Sequence, residues 1–517
     1  MDEDPVARLA VERFGIRYLY PYQRLAIANA LDAIAGRTSS DDTDDGLEAE
    51  EPRGQLVLLP TGFGKSLCFQ IPALAAGGLS VVVYPLLGLM ADQARSLASR
   101  GIAHAVLKGG MDRAERDEAL RPLSPGESRI LITNPEALAA PATLKAVAAL
   151  KPGHLVVDEA HCVAEWGDSF RPSYLELGRA ATALRPKFIS AFTATASPPI
   201  ARRIAEVLFG DRPWRLVEGP ADRPAIRYAV RPALSMRREL RRAVLELARP
   251  LIVFVRSRAG AELIAEGLRL AFPAVDSRFY HAGLGKGERK ACEDWFFATD
   301  DGILAATCAY GMGIDKPNVR SVVHYGPPAS AEAYLQEAGR GGRDGAPSTA
   351  LLLYPAADAA LASLAERGEG RSALMARYAA SAPGCRRRYL LAALGSREAE
   401  TAPCGDCDRC DGRAPAGPEG LDAVTALARR HPRRLYPHEA AAALSQDLPL
   451  RPGSGALSSW LRDEIREGVE AATTMGAIRR IGRGPWKGRL VPARPSYHGW
   501  SPPDRNAGGR LRGAEPS

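Results

Sequence analysis

The amino-acid sequence predicts an α/β fold in which two doubly wound parallel sheets are followed by smaller, mainly helical units. Short apolar runs alternate with helical patterns from about Leu56 to Tyr354, which is the rhythm of a parallel sheet with helices on both faces. This rhythm is interrupted over residues 218–232, where proline and charge density rise, so the strands divide into two lobes. After Pro355 the strand-like runs stop, and a helical pattern rich in alanine, arginine and leucine continues.

The chain has 517 residues, which is too long for one hydrophobic core, because domains commonly contain about 100–200 residues. We expect strands at the apolar runs LVLLP, LSVVVYP, RILITN, HLVVDE, FISAFTA, PLIVFV, SRFYHA, ILAAT and SVVHY. The predicted units are lobe 1 at 1–217, lobe 2 at 218–355, a cysteine-containing helical subdomain at 356–412, a linker at 413–420, a C-terminal unit at 421–492 and a flexible tail at 493–517.

The charge distribution favours a polyanionic partner. The formal net charge is +8, yet the stretch RTSSDDTDDGLEAEEP at 37–52 carries seven acids and one base. Removing its net −6 from the total leaves +14 on the remainder of the chain. Arginine supplies most of this positive charge, and its planar guanidinium suits bidentate contacts to phosphate. We expect 37–52 to be an acidic surface loop inserted before the first core strand.

The composition is typical of a soluble globular protein, with 46% hydrophobic and 25% charged residues. No apolar run is long enough to cross a bilayer, so we expect no membrane partner. The first residues, Met1 to Pro5, are acidic where a secretory leader would be basic, and we therefore expect no signal peptide and a cytoplasmic location.

The stretch LLPTGFGKSLCFQIP reads as a strand, a glycine-containing turn and the start of a helix. Backbone N–H groups around Thr61, Gly62 and Gly64, together with the helix N-terminus, would form a nest for phosphate. Lys65 would then reach the terminal phosphates of a nucleotide, and the Ser66 hydroxyl would bind Mg²⁺. This stretch predicts a nucleoside triphosphate and Mg²⁺ as cofactors.

A pair of acids follows the apolar run in HLVVDE. Ligands of a doubly wound sheet bind beyond the carboxyl ends of the strands, so Asp158 and Glu159 are expected to face the phosphates that Lys65 binds. Asp158 would hold Mg²⁺, and Glu159 would polarise the water that attacks the γ-phosphate. The pair therefore predicts hydrolysis of the nucleotide.

The stretch YLQEAGRGGRDG in lobe 2 brings Gln336, Arg340 and Arg343 close together in sequence. Two arginines at this spacing suit a clamp on a γ-phosphate. We expect Arg343 to act as an arginine finger from across the cleft between the lobes.

Four cysteines form a cluster in the helical subdomain. Cys404, Cys407 and Cys410 repeat at a C-x2-C-x2-C spacing, and Cys385 ends a preceding helical pattern. Four thiolates close a tetrahedral site, so the cluster predicts a structural Zn²⁺ ion. The remaining cysteines are scattered, which is typical of reduced thiols rather than of a disulfide framework.

The C-terminal unit reads as three helices in GLDAVTALARR, PHEAAAALS and ALSSWLRDEIREGVEAATTMG. Two short strands around the Gly484–Pro485 turn follow in AIRRIGRGPWKGRLVP. This order predicts a small winged-helix-like domain, with Arg479, Arg480 and nearby basic residues on its hairpin.

The motifs LLPTGFGKS, DEAH, FTATA, FVRSRAGAE, YHAGL, ATCAYGMGIDKPNVR and QEAGRGGRDG occur in the order seen in superfamily 2 helicases. DEAHCVAEWG, FRPSY, DRPAIRY and the cysteine cluster more narrowly resemble the RecQ family of ATP-dependent DNA helicases. The resemblance covers about residues 10–412. It implies two RecA-like lobes, hydrolysis of Mg-ATP at their interface, and 3′ to 5′ translocation on single-stranded DNA with duplex unwinding, in DNA repair or recombination.

The resemblance also implies roles for individual residues. Gln23 would read the adenine, His161 would join the catalytic groups, and Asp315 would lie near the nucleotide. Residues that match the family's DNA contacts are Trp166, Phe170, Arg171, Arg256, Ser257, His281 and Thr307. The first three belong to an aromatic loop directly after the acidic pair, which we expect to couple DNA binding to hydrolysis.

The chain departs from the family pattern at several positions. Ile16 and Tyr20 stand where the family has an aromatic residue and an arginine that contact adenine, so we expect Tyr20 or Tyr22 to take over the stacking. Phe63 replaces a glycine of the phosphate-binding loop, and Asp168 stands where the family commonly has histidine.

Three functions fit the sequence. The leading interpretation is a DNA helicase, with single-stranded DNA and duplex junctions as partners. The alternatives are an RNA helicase of the same superfamily and a DNA-stimulated ATPase that remodels or clamps DNA without processive unwinding. As a helicase the chain is expected to be a nucleoid-associated monomer that meets single-strand-binding or other repair proteins.

Overall fold

A computed structural model describes residues 4–36, 51–60, 62–123, 129–165, 172–308, 310, 316–381, 384–445 and 455–493. Several predicted features lie outside the described residues. They are most of the acidic stretch 37–52, nearly all of the tail, and the site residues Thr61, Trp166, Phe170, Arg171 and Asp315.

Lobe 1 contains a seven-stranded sheet in the order β3-β4-β2-β5-β6-β1-β7, and every pair of neighbouring strands is parallel. Its strands are β1 (Gly54–Leu58), β2 (Leu79–Val83), β3 (His104–Val106), β4 (Arg129–Thr133), β5 (His154–Val157), β6 (Phe188–Thr193) and β7 (Trp214–Glu218). Its helices are α1 (Pro5–Phe14), α2 (Pro21–Ala35), α3 (Leu67–Ala75), α4 (Leu87–Ser99), α5 (Arg113–Leu120), α6 (Pro135–Ala139), α7 (Pro141–Ala149), α8 (His161–Glu165), α9 (Glu176–Leu184) and α10 (Pro198–Leu208), with a 3₁₀ turn at Pro172–Tyr174.

Lobe 2 contains a six-stranded parallel sheet in the order β10-β11-β9-β12-β13-β8. Its strands are β8 (Ile226–Ala233), β9 (Leu251–Phe254), β10 (Ser277–Tyr280), β11 (Ile303–Ala306), β12 (Ser321–Tyr325) and β13 (Ser348–Pro355). Its helices are α11 (Met236–Glu246), α12 (Arg258–Ala271), α13 (Lys286–Ala298) and α14 (Ala331–Ala338). The two parallel-sheet lobes expected from the sequence are therefore present.

Both faces of each sheet are buried. Val81 and Val83 of β2 pack into one apolar cluster, whereas Val82 packs into a second cluster on the opposite face. In lobe 2, Val253 packs into one apolar cluster, and its neighbour Ile252 packs into a second cluster on the opposite face. Because successive side chains of a strand point to opposite faces, continuous apolar runs are what a sheet covered by helices on both sides requires.

The expected interruption of the strand rhythm at 218–232 is wrong in part, because β8 lies within it. The sequence analysis did not predict this strand, because its proline and arginines are more typical of a linker. Both residue types are tolerated here because β8 is at the edge of the sheet. Three further strands were also not predicted. They are β3, β7 and β13.

The helical subdomain packs against lobe 2, and the C-terminal unit follows it. Its helices are α15 (Ala359–Arg367), α16 (Gly370–Ala380), α17 (Arg386–Ala393) and α18 (Glu398–Thr401). The C-terminal unit contains α19 (Leu421–Arg430), α20 (Pro437–Ser445), α21 (Arg462–Thr474), β14 (Ile478–Arg480) and β15 (Leu490–Pro492). β14 and β15 are antiparallel, so the three helices and the hairpin occur in the predicted order.

Candidate active site

The loop between β1 and α3 has the backbone of an anion-binding nest. Gly62 and Gly64 have φ values of 88° and 72°, in the left-handed region that favours glycine. A Cβ atom on Gly64 would lie 2.5 Å from Nε2 of Gln23, so a larger residue would displace that side chain. Ser66 immediately precedes α3, and its position at the N-terminus of this helix suits an anion.

Gln23 is nearly fully buried and ties α2 to the nest. Its Nε2 donates to the carbonyl of Phe63 at 3.0 Å, and its Oε1 accepts from the backbone N–H of Tyr20 at 2.9 Å. These bonds position the side chain in the loop. The structure therefore places Gln23 against Phe63 and Gly64 of this loop.

Aromatic rings follow one another beside this loop. Tyr20 and Tyr22 are stacked with centroids 5.3 Å apart, and Tyr22 lies 6.4 Å from the ring of Phe63. Tyr18 meets Tyr20 edge to face, and both rings are about half exposed or more. An exposed tyrosine face offers a surface on which a nucleobase can stack.

The acidic pair lies at the carboxyl end of β5, as predicted. Asp158 is only 8% exposed, and its Oδ1 accepts from the backbone N–H of Glu159 at 2.9 Å. Burial, together with the charge of Glu159, raises the pKa of Asp158 to about 7. Glu159 has a φ of 50°, an uncommon conformation for a residue with a side chain, and one that often marks a functional position.

Glu159 is the centre of the site's charges. Its Oε1 lies 3.7 Å from Nζ of Lys65, and its Oε2 lies 3.4 Å from Nδ1 of His161. Burial alone would raise the pKa of Glu159, but Lys65, His161 and Arg340 outweigh it and lower the pKa. These neighbours therefore favour the ionised carboxylate.

Thr193 at the end of β6 completes this group, although the sequence analysis assigned it no role. Its Oγ1 lies 3.0 Å from Nδ1 of His161 and donates to the carbonyl of Thr195 at 3.1 Å. The residue belongs to the FTATA motif, which was the available signal. The hydroxyl fixes the orientation of the imidazole next to Glu159.

Lobe 2 contributes arginines from the loop after α14. Arg340 is 4% exposed, and burial followed by the charge of Arg343 lowers its pKa to about 10. Arg340 is close enough to Glu159 for its charge to affect the pKa of that carboxyl. Gln336 in α14 and Arg343 are half-buried on the same segment. The structure therefore brings groups from both lobes to one cleft.

Arg223 also lies in this cleft and was missed from the sequence. It belongs to the DRPAIRY motif, whose resemblance to the family was noted without a role for any of its residues. Its guanidinium carbon lies 5.8 Å from the ring centroid of Phe63, and its Nη atoms donate to backbone carbonyls of the loop that carries Arg340. It is a direct link between the phosphate-binding loop and the arginine loop.

The predicted DNA-binding residues of lobe 2 lie at the carboxyl edge of its sheet, after the adjacent strands β9, β10 and β11. Arg256 and Ser257 are exposed, and Arg256 donates to the carbonyl of Pro327. His281 is buried and pairs with Glu262 at 2.8 Å, and Thr307 is buried as well. Of these four residues, Arg256 and Ser257 present their side chains to solvent.

The four cysteines form a compact cluster. The Sγ atoms of Cys385, Cys404, Cys407 and Cys410 all lie within 4.8 Å of one another. Four sulfurs at about 2.3 Å from one ion, in a tetrahedron, are the ligand set of a structural Zn²⁺ site, so the cluster fits a bound metal ion. Arg386 and Asp408 next to the cluster form a buried ion pair at 3.0 Å, and Asp408 accepts from the backbone N–H of Val230 at 2.8 Å. The cluster is thereby attached to β8 of lobe 2.

Two parallel-sheet lobes with a phosphate-binding loop on one side and arginines on the other define a RecA-like helicase core. The family model for DEAD/DEAH box helicases matches residues 20–203, and the model for the helicase conserved C-terminal domain matches residues 237–345. These matches fall on lobe 1 and lobe 2.

Curated relatives indicate which family of helicases the chain resembles. An ATP-dependent DNA helicase RecQ of Pasteurella multocida is 36% identical over 69% of this chain and 57% of its own length. Proteins of the same name from Synechocystis and Bacillus subtilis are 39% and 32% identical over 58% and 72% of this chain, and each is covered over 64% of its length. The chain belongs to the RecQ family of ATP-dependent DNA helicases, and it spans about 57–64% of the length of these relatives.

Solved structures support the fold. The DUF1998 helicase MrfA bound to DNA aligns over 96% of this chain and 64% of its own, with a TM-score of 0.54 and 20% identity. Mss116p bound to single-stranded RNA and AMP-PNP aligns over 90% of this chain and 88% of its own, with a TM-score of 0.53 and 17% identity. Among the described residues, no helix combines the length and apolarity that a membrane span requires.

Proposed function

We propose that this chain is an ATP-dependent DNA helicase that hydrolyses Mg-ATP between its lobes and moves 3′ to 5′ along single-stranded DNA while separating a duplex. The observation that carries the proposal is the position of Glu159. Its carboxylate lies between Lys65 and His161 of lobe 1, and its pKa is lowered in part by Arg340 of lobe 2. A base that depends on groups from both lobes is what a motor driven by lobe closure requires.

In the proposed reaction, Lys65 and the loop N–H groups bind the β- and γ-phosphates. Glu159 orients the attacking water and accepts its proton, because the lowered pKa keeps its carboxylate ionised. His161 contacts the carboxylate of Glu159, and Thr193 in turn fixes the imidazole of His161. Arg340 and Arg343 neutralise the charge that develops on the γ-phosphate as the bond to the leaving oxygen breaks.

Asp158 and Ser66 are the residues that would hold Mg²⁺. Asp158 is buried, and burial together with the charge of Glu159 raises its pKa to about 7, so a divalent cation here would stabilise the ionised carboxylate. A bound Mg²⁺ ion supplies charge neutralisation at the phosphate oxygens. Ser66 immediately precedes α3, and Asp158 is close enough to Lys65 for that charge to affect its pKa, so a carboxylate and a hydroxyl of the kind that binds Mg²⁺ are available at this loop.

For DNA, we propose that Arg256 and Ser257 contact the sugar-phosphate backbone, because they are exposed at the carboxyl edge of lobe 2. His281 and Thr307 are buried, and we assign them to shaping this edge. Trp166, Phe170 and Arg171 remain the proposed coupling loop. We further propose that the cysteine cluster binds Zn²⁺, and that the C-terminal unit is a winged-helix-like domain whose basic hairpin contacts duplex DNA.

Strand displacement tests the proposal. Duplexes with a 3′ tail, a 5′ tail and blunt ends should be compared, with ATP and with a non-hydrolysable analogue. We expect separation of the 3′-tailed DNA alone, and only with ATP. Hydrolysis stimulated by DNA without strand separation would instead indicate a clamp or remodeller, and separation confined to RNA duplexes would indicate an RNA helicase.

A further inference from the structure

Arg223 spans the cleft between the two lobes. On one side its guanidinium lies over the ring of Phe63, with 5.8 Å between the guanidinium carbon and the ring centroid. On the other side Nη1 donates to the carbonyl of Gly339 at 3.3 Å, and Nη2 donates to the carbonyls of Gly341 and Gly342 at 3.3 and 3.4 Å. One side chain therefore contacts both the phosphate-binding loop and the arginine loop.

The three carbonyls belong to the residues that flank Arg340 in sequence, so their position constrains the backbone that carries its side chain. The opposite side of the loop is fixed within lobe 2. The N–H of Gly342 donates to the carbonyl of Val319 at 2.9 Å, and a Cβ atom on Gly341 would lie 2.8 Å from Oγ of Ser348. Because one side of the loop is packed against β13, the contact with Arg223 determines how the other side is presented to lobe 1.

Arg223 is itself held in place by the helical subdomain. Arg387 of α17 is 2% exposed, and its Nη1 donates to the backbone carbonyl of Arg223 at 2.9 Å and to Oδ1 of Asp222 at 2.5 Å. The same Oδ1 accepts from the N–H of Arg223 at 2.8 Å. The backbone of residue 223 is thus bound on both sides, which limits the positions that its side chain can take.

We propose that Phe63 and Arg223 form a positioning contact, which sets the arginine loop of lobe 2 against the phosphate-binding loop of lobe 1 in the closed cleft. The inference rests on the proposed ATP hydrolysis. It uses Phe63, which stands where the motif that this loop resembles has a glycine. A guanidinium is attracted to the face of an aromatic ring, whereas glycine offers no such surface.

This contact should matter for the rate of hydrolysis rather than for nucleotide binding. The nest and Lys65 lie in lobe 1, and they bind phosphate whether or not the arginine loop is aligned. The arginines contribute most in the transition state, when charge accumulates on the γ-phosphate. Loss of alignment should therefore lower kcat for ATP and leave KM nearly unchanged.

The test compares four variants in DNA-stimulated ATPase assays of the full chain. Phe63→Leu keeps an apolar side chain without the aromatic face, and Phe63→Tyr keeps the face. Arg223→Lys keeps the charge without the fork that donates to several carbonyls. The fourth variant combines Phe63→Leu with Arg223→Lys. Arg100→Lys is the matched control, because Arg100 is an exposed arginine that lies 5.8 Å from an aromatic ring, that of Phe14, with both residues in lobe 1.

We expect kcat to fall about 2- to 30-fold in Phe63→Leu, which is the range of a cation–π contact, with KM for ATP and the affinity for a non-hydrolysable analogue unchanged. In Arg223→Lys, kcat should fall at least as far. The double variant should resemble Arg223→Lys rather than show the product of the two effects, because the ring contact and the carbonyl contacts act in series, and breaking either one uncouples the arginine loop from Phe63. Phe63→Tyr and Arg100→Lys should retain the wild-type rate.

An unchanged kcat in Phe63→Leu would overturn the proposal, as would multiplicative effects in the double variant or a parallel loss of nucleotide affinity. Thermal unfolding of each variant identifies a folding defect. Should Arg223→Lys unfold early, the comparison of Phe63→Leu with Phe63→Tyr still decides, because Phe63 is only partly buried. If the wild type hydrolyses ATP and the variants hydrolyse it at the same rate, only the proposed contact is wrong. If the wild type has no ATPase activity, the proposed function is wrong as well.

Discussion

The two lobes share one architecture and differ in chemistry. Each is a parallel sheet covered on both faces by helices. Lobe 1 places the acidic pair beyond the carboxyl end of β5, whereas the arginine loop of lobe 2 lies beside the start of β13. Lobe 1 supplies a phosphate nest, a lysine and two carboxylates. Lobe 2 supplies arginines and an exposed basic edge. The fold is therefore a scaffold, and the difference lies in the loops.

The charges of the two lobes are balanced in different ways. In lobe 1 Glu159 lies 3.7 Å from Lys65, so opposite charges partly compensate for burial. In lobe 2 burial and the neighbouring Arg343 lower the pKa of Arg340 to about 10, because two positive charges lie close together. A triphosphate between the lobes would relieve this repulsion. The comparison teaches that lobe 1 pairs its buried charges within the site, whereas lobe 2 brings two positive charges together.

The largest effect is expected from lobe 2. Arg343→Ala should lower kcat for ATP by about 10³- to 10⁵-fold, the range of an arginine finger, while the affinity for ATP in lobe 1 changes little. Steady-state ATPase assays together with equilibrium binding of a non-hydrolysable analogue measure the two quantities. Arg269→Ala, an exposed arginine at the end of α12, is the control. A decline in affinity that matches the decline in kcat would argue that Arg343 binds the substrate rather than the transition state.

Within lobe 1, substitution of the proposed base and substitution of the proposed phosphate ligand should have different effects on nucleotide binding. Glu159→Gln should reduce kcat by about 10²- to 10⁴-fold and preserve nucleotide binding, because it removes the proton acceptor and keeps the shape. Lys65→Ala should lose nucleotide binding as well as turnover. The same ATPase and binding assays apply. Wild-type hydrolysis in either variant would exclude the assigned role.

The cysteine cluster should stabilise lobe 2 more than lobe 1, because Asp408 and Arg386 attach it to β8. Cys407→Ser should remove about one Zn²⁺ ion per chain and lower the melting temperature by at least about 5 °C, with poor solubility rather than a selective loss of ATPase activity. Metal analysis and thermal unfolding check this. Cys308→Ser, outside the cluster, should retain metal and stability. Purified wild-type protein without zinc would refute the assignment.

The smallest expected effect concerns His154, one of two buried histidines that differ in their partners. His154 of lobe 1 is 1% exposed and its Nε2 lies 2.9 Å from Oγ of Ser190, whereas His324 of lobe 2 lies 3.0 Å from a carboxylate oxygen of Glu337. Burial lowers the pKa of His154 from 6.5 to about 3. Between these values the unfolded chain binds the additional proton, so stability falls as the pH decreases below about 6.5.

At pH 5 this loss amounts to about 2 kcal/mol relative to pH 7. His154→Gln can still bond Ser190 but cannot titrate, so its free energy of unfolding should depend less on pH across this interval. Denaturant unfolding at pH 5 and pH 7 measures it. Equal pH dependence in wild type and variant would show that other groups carry the acid sensitivity.

Much of the fold followed from local pattern. The apolar runs predicted nine strands in the two lobes, because a strand buried on both faces is nearly continuous in apolar residues. The edge strand β8 escaped, since its Pro232 and arginines resemble a linker, and the short β3 carries too few residues for a pattern. In the site, Lys65, Asp158 and Glu159 could be identified because each belongs to a contiguous motif. Thr193 and Arg223 could not be assigned roles, as their partners are distant in sequence.

The sequence by itself determined the order of the motifs, the phosphate-binding loop, the acidic pair and the cysteine spacing, because each depends on residues a few positions apart. Only the tertiary structure decided which charges meet. The raised pKa of Asp158 and the lowered pKa of Glu159 arise from burial and from Lys65, which lies far away in the chain. The contact of Phe63 with Arg223 likewise exists only because two lobes close on one another, and no local pattern contains that information.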